Sequence, residues 1–218
     1  MSLSIIYIII IITVFISIQG FSNRNFLYKM ALSPYEVKHH KKKAKLLTHI
    51  FVHSDWGHLL FNMLSFYFLG DALLNINPQA EQHISGGLIQ VYGEVLGNLH
   101  FIVLYFVGGF FATFWPMIRN QDNPNYVSLG ASGAVSSVIF AMIIWNPFIE
   151  LQLIFLPGIG IPAYIFGPLY LAFEFWAFRH GNTNIAHDAH IGGAIFGVIY
   201  ILIINIEKGK ELLNIIFG

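Results

Sequence analysis

Ser132 lies in GASG, residues 130–133, and His190 in AHDAHIGGAIFG, residues 186–197. A hydroxyl with an imidazole to take its proton is the minimum needed to attack a carbonyl, so these two types could act as nucleophile and general base. His58 and Asn62, in HSDWGHLLFN, are four apart and share one stripe of a helix, which Ser65 continues. Each group also has a structural reading. Gly and Ser are ordinary residues of tightly packed membrane helices, and a buried His and Asn can serve as interhelical hydrogen bonds. A lone GxSG discriminates little between the two. Its position says more: a serine in the first turn of a helix lies where unpaired N–H groups and the positive dipole end can stabilise an oxyanion. His190, Gly193 and Gly197 line one stripe at i, i+3 and i+7, and Gly193 with Gly197 is a GxxxG pair that admits close approach of another helix. If the helix that starts at Ser132 is that neighbour, Ser132 and His190 meet near matching ends.

Other titratable residues have weaker claims. Asp188 is two residues from His190 and so points to a different face, and an acid at a helix N-terminus is favoured by the dipole in any case. His187 is the rival base but is off the glycine stripe. His49 and His53, four apart, read as lining a water-facing rim, and Glu174 as an interfacial residue. A metal-dependent membrane hydrolase would have to draw its ligands from His49, His53, His58, His187 and His190. No three-ligand set stands out by spacing, so neither metal nor organic cofactor is expected.

The elements that must position these residues are membrane helices. The chain has 218 residues, of which 56% are hydrophobic and 10% charged, with a mean hydropathy of +0.66. Eleven basic residues balance eleven acidic ones, which leaves no global field for nucleic acid, and the absence of cysteine excludes thiolate chemistry and disulfides. The first apolar run, LSIIYIIIIITVFISI, lacks the basic start of a signal peptide and reads as a retained helix. Further spans are expected at about 56–74, 101–118, 130–145, 161–178 and 187–206, with the prolines before the fifth marking a re-entrant or interfacial connection. Residues 75–99 read as a linker. Six spans put His58, Ser132 and His190, each near the start of an even-numbered span, at one face of the bilayer.

HSDWGHLLFN, SLGASGAVSS and HDAHIGGAIFG occur in the order and spacing of the rhomboid family of intramembrane serine proteases, and the chain resembles its bacterial branch from about residue 48 to 197. The resemblance implies an all-α bundle of six transmembrane helices in one domain, 1–218, with a catalytic core at about 48–206. It implies Ser132 as nucleophile and His190 as general base, an oxyanion hole from His58, Asn62 and the Ser132 N–H, and Gly193 and Gly197 as close-packing glycines. The implied substrates are transmembrane proteins, cut in or beside their spans without a cofactor, by a multi-pass protein of a bacterial inner membrane. A non-catalytic binder of membrane proteins with this fold is the alternative. Many relatives carry an aromatic residue one turn after the nucleophile, where this chain has Ser136. Orientation is contested: nine of the eleven Lys and Arg residues fall on the Ser132 side, which charge bias makes cytoplasmic, whereas the resemblance implies an extracytoplasmic active site.

Overall fold

The computed structural model describes residues 4–76, 84–152, 158–180 and 185–217. Helix α1 (Ile5–Ser22) buries Ile6, Ile9, Thr13, Ser17 and Gly20, one stripe at three- and four-residue steps that faces α5 (Trp56–Asn75). Between them run α2 (Arg24–Met30), α3 (Pro34–His39), α4 (Lys45–Thr48) and a 3-10 turn, His49–Phe51. Asn23 and Ser33 cap α2 and α3 by accepting from Phe26 N–H and Glu36 N–H. Lys45 is buried here, its ammonium donating to Tyr28 O at 2.6 Å and Ala31 O at 3.0 Å beside Glu36 at 2.9 Å. Lys42 and Lys45 together hold the Glu36 carboxyl below the usual carboxylate range.

The expected linker is helical over much of its length. Helix α6 spans Leu88–Ala112 and is followed by α7 (Phe114–Asn120), while residues 77–83 lie outside the described residues. Gly93 has φ +80°, and a Cβ at Gly97 would meet Ile89 backbone atoms at 2.8 Å. Residues eight apart in a straight helix lie about 12 Å apart along the axis, so the chain folds back on itself at Gly93. The polar residues Gln90, Glu94 and Asn98 and four glycines, at 86, 87, 93 and 97, disguised this as a linker.

Helix α8 (Ser132–Trp145) is central, packed against α5, α6, α9 (Ala163–His180) and above all α10 (His187–Ile204). Every residue of α8 except Ser132 and Ile139 is buried, as befits a helix apolar all round. At 1.5 Å per residue it is about 21 Å long. Ahead of α9, strands β1 (Glu150–Gln152) and β2 (Gly160–Pro162) pair antiparallel, which gives the expected interfacial connection a two-stranded form; residues 153–157 lie outside the described residues. After α10 comes an unanticipated α11 (Ile206–Phe217).

By length and composition, four helical stretches can cross a membrane: Ile5–Ser22, Trp56–Asn75, Leu88–Asn120 and His187–Ile204. Among the six expected spans, α8 has 14 residues and falls short of the ~20 that a bilayer requires, and α9 carries Glu174 and Pro168. The protein is therefore a mostly helical, multi-pass membrane protein, with α8 as its buried inner element and α9 as a largely exposed helix that packs on α10 and α8.

The two ends of α8 are built differently. At its C-terminus, Asn146 exchanges hydrogen bonds with Ser85 (Ser85 N–H to Oδ1, 2.8 Å; Nδ2 to Ser85 O, 3.1 Å), and Trp145 Nε1 donates to Gly86 O at 2.8 Å. Lys208 of α11 donates to Ser85 Oγ and to Glu211, and lies 5.5 Å from the Trp145 ring centroid.

Candidate active site

The loop before Ser132 is held from below. Gly130 N–H donates to His49 O at 3.0 Å and Ala131 N–H to His53 Nε2 at 3.3 Å. With Nε2 accepting, His53 carries its hydrogen on Nδ1, which donates to Ser17 Oγ at 2.9 Å; that hydroxyl in turn donates to Phe51 O at 3.0 Å. The expected rim position is wrong for both histidines: His49 is 7% exposed and His53 0%. Burial pushes the His49 imidazole down to about 4 and His53 to about 3, so both are neutral at pH 7, as the hydrogen-bond chain through His53 requires.

The first helical bond of α8 runs from Val135 N–H to Ala131 O. The Ser132 N–H lies ahead of it, among those that helix geometry leaves unused. Gly130 has φ +115°, and a Cβ there would meet His58 Cε1 at 2.6 Å and Nε2 at 2.7 Å. The His58 ring thus rests on the residue two before Ser132, and only glycine leaves room for it. On its other side His58 Nδ1 lies 3.0 Å from Ser54 Oγ, which is also 2.7 Å from Asp55 Oδ2. One hydroxyl proton cannot serve both partners. In the structure it goes to the Asp55 carboxylate, so the Ser54 oxygen accepts from His58 Nδ1–H; when Ser54 turns its proton to His58 Nδ1 instead, the ring hydrogen sits on Nε2 and His58 presents a donor toward the Ser132 loop. Asp55 caps α5 by accepting from His58 N–H at 2.9 Å, and Asn62, 7% exposed, donates one amide hydrogen to His58 O at 2.8 Å.

Helix α10 meets α8 backbone to backbone. A Cβ on Gly193 would collide with Gly133 O, one on Gly197 with Ser137 O, and one on Gly133 would lie 3.3 Å from Ala189 O. Gly133 is next to Ser132 and Ala189 next to His190, so this contact sets the first turns of the two helices side by side. His190 is also within electrostatic reach of His58. The starts of α8 and α10 thus lie side by side, with His58 of α5 against the loop that leads into Ser132 and Asn62 one turn further along α5.

Two acids stand beside them. Asp188 accepts from Ala189 N–H at 3.0 Å, and its charge is felt by Arg119 of α7 and by His190. Glu174 was expected at an interface with water, yet it is 4% exposed, with Oε2 2.6 Å from His187 Nδ1 and Oε1 3.1 Å from His190 Nδ1. Sequence reading missed it because it comes from a different helix, and a single acid in an aromatic stretch carries no spacing signal. The five-histidine metal reading does not survive: His49 and His53 are tied into the loop below. Glu174, His187 and His190 do cluster, with ligand atoms within 4.8 Å of one another. Ligands sharing a tetrahedral zinc lie about 3.3 Å apart, given bonds near 2.0–2.1 Å. The 2.6 Å contact is shorter than that and is the spacing of a hydrogen bond.

A Rhomboid domain profile matches residues 40–206. The chain is 30% identical over 171 residues to RHOMBOID-like protein 12, mitochondrial, of Arabidopsis thaliana, covering 76% of this chain and 47% of the relative. It is 33% identical over 109 residues to Presenilin-associated rhomboid-like protein A, mitochondrial, of Danio rerio, covering 50% and 28%. Against Presenilin-associated rhomboid-like protein, mitochondrial, of Homo sapiens it is 27% identical over 159 residues, covering 72% and 37%. The chain thus spans less than half the length of these relatives, and their names carry a mitochondrial location where the sequence suggested a bacterial membrane. With a domain match that runs from just after α3 through α10 and takes in Ser132, His190, His58, Asn62 and Glu174, the chain belongs to the rhomboid family.

Proposed function

We propose that this protein is an intramembrane serine endopeptidase that hydrolyses peptide bonds in or near the spans of membrane proteins. The observation that carries the reading is the glycine contact between α8 and α10, which sets Ser132 and His190 in facing first turns. Ser132 Oγ attacks the scissile carbonyl as its proton passes to His190 Nε2. The carbonyl electron pair moves onto oxygen, where the Ser132 N–H, His58 Nε2–H and the Asn62 amide supply donors. Collapse breaks the C–N bond, His190 returns the proton to the leaving amine, and water hydrolyses the acyl-enzyme. A cleft of about 180 Å³ that would admit water lies at the start of α10, lined by Arg119, Tyr126, His187 and Asp188 among others. Substrate helices must expose a carbonyl to be cut, so spans with weak local helicity are preferred.

The Ser132 end shares its side of the bundle with the basic segment between α1 and α5, since Leu32 bridges to Ser128 and Lys38 pairs with Asp122 at 2.8 Å. We place this side away from the compartment that holds the termini. A Lys42→Cys protein, free of background thiols, should react with an impermeant reagent on that side only.

The central test is a fluorophosphonate probe on the purified protein. Modification should map to Ser132, and Ser132→Ala should insert and fold normally but cleave nothing. Cleavage that persists in Ser132→Ala, or that is lost on chelation, overturns the reading.

A further inference from the structure

The mechanism leaves unused a buried acid that stands beside His190. Glu174 is an acid on α9 with almost no exposure, in a bundle where an unpaired carboxylate would be costly to bury. Its two oxygens bridge His187 and His190, which are three apart on α10 and therefore present their rings to the same side. The ring planes stand at 83°, with centroids 6.1 Å apart. The His187 contact, at 2.6 Å, is the tighter and fixes the carboxylate. His190 Nδ1 is enclosed without a well-aligned hydrogen bond, and Glu174 Oε1 is 3.1 Å from it. An enclosed N–H with no better partner than that oxygen is drawn to it, and such contacts tighten when substrate binds.

The same region lacks the aromatic residue that would otherwise brace the imidazole. Ser136, one turn after Ser132, instead comes within reach of the Tyr170 hydroxyl, which is also within reach of Glu174. Ser136 and Glu174 are thus both within reach of Tyr170, and Glu174 is the one of these groups that faces His190.

We propose that Glu174 is a positioning residue for His190: its carboxylate, anchored by His187, orients the imidazole and balances the charge His190 gains on taking the Ser132 proton. This rests on the reading of Ser132 and His190 as nucleophile and base. Glu174 keeps its charge throughout. His190 Nδ1–H points to the carboxylate, which leaves Nε2 free to accept from Ser132 Oγ and later to donate to the leaving nitrogen.

The test is a pair of variants of the full chain in detergent, Glu174→Gln and Glu174→Asp, scored per folded molecule by thermal melt and size exclusion. Gln matches the shape and loses the charge, whereas Asp keeps the charge and loses a methylene. A charge-positioning role ranks Asp above Gln; a packing role ranks them the other way. Glu174→Gln should lower kcat by about a hundredfold or more with little change in KM, and slow fluorophosphonate labelling in parallel. The acidic limb of its kcat/KM profile should move to lower pH, because the imidazolium loses its counter-charge. The other titratable groups around His190 stay in place in both variants: His187 and Asp188 on α10 and His58 on α5, with Arg119 of α7 beside Asp188 and Asp55, the cap of α5, beside His58. If Gln fails to fold and Asp folds, an Asp profile coincident with wild type supports the proposal and a shifted one overturns it. Wild-type kcat and pH profile in Glu174→Gln overturn it while leaving the protease reading intact. A wild-type protein that neither labels at Ser132 nor cleaves would sink the protease reading itself.

Discussion

The two ends of α8 belong to one 14-residue helix and have opposite hydrogen-bond economies. At Trp145 and Asn146 each polar side chain is paired: Asn146 with both backbone groups of Ser85, Trp145 with Gly86 O, and Lys208 with Ser85 and Glu211. At Ser132 the loop is clamped just as firmly by His49 O and His53, but the groups above the clamp keep capacity in reserve. The Ser132 N–H is unused by the helix, Asn62 has spent one of its two amide hydrogens on His58 O, and His58 Nε2 faces the loop. Saturation makes an end of a helix stable. Withholding it, on a rigid support, makes an end reactive.

The comparison breaks most severely at the contact that sets both ends. Gly193→Leu places side-chain atoms where Gly133 O now lies, so α8 and α10 must separate. Activity should fall below detection, with stability reduced by about 1–3 kcal/mol, the usual scale for overpacking; thermal melts and cleavage assays on one preparation check both. A protein still active would mean that the first turns need not touch. Next in size, His58→Ala or Asn62→Ala should lower kcat about a hundredfold, the scale for losing one oxyanion donor, with a smaller change in KM. An effect confined to KM would return these residues to a packing role.

The closed end should answer in the opposite sense. Asn146→Ala strands the N–H and C=O of Ser85 and should cost about 1–3 kcal/mol in unfolding, while kcat per folded molecule stays unchanged. The smallest effect comes from the clamp. His49 and His53 are held neutral by burial, at about 4 and 3, against about 6.5 in an unfolded chain. Below pH 6.5 the unfolded chain binds more protons, so the stability they contribute is present above that pH and is lost as pH falls toward 4 and 3. The melting temperature should decline from pH 7 to 5, and His53→Gln should make that decline shallower.

The reactive end was the more legible of the two in the sequence. His58 and Asn62 share a stripe, and Gly193 and Gly197 announce a close contact, because the period of a helix converts spacing into a face. The pairing of Glu174 with His190 has no such signature: it joins two helices whose relative rotation is set by packing, and packing is not local. His49 and His53 were misplaced for a similar reason. Polar neighbours such as Ser54 and Asp55 suggested a wet rim, whereas α1 folds across them and supplies Ser17. The closed end was hidden because its partners, Ser85 and Lys208, lie 61 and 62 positions from Asn146, one in the segment that read as a linker and the other beyond the last expected span.

The shortness of α8 has a consequence for the surrounding lipid. A helix of about 21 Å falls short of a hydrocarbon core of about 30 Å, and because longer helices wall it in, the deficit lies inside the bundle rather than against lipid. The longer helices then carry the lipid contact, so a change of acyl-chain length should bear on α1, α5 and α10 and leave the packing of α8 unaffected.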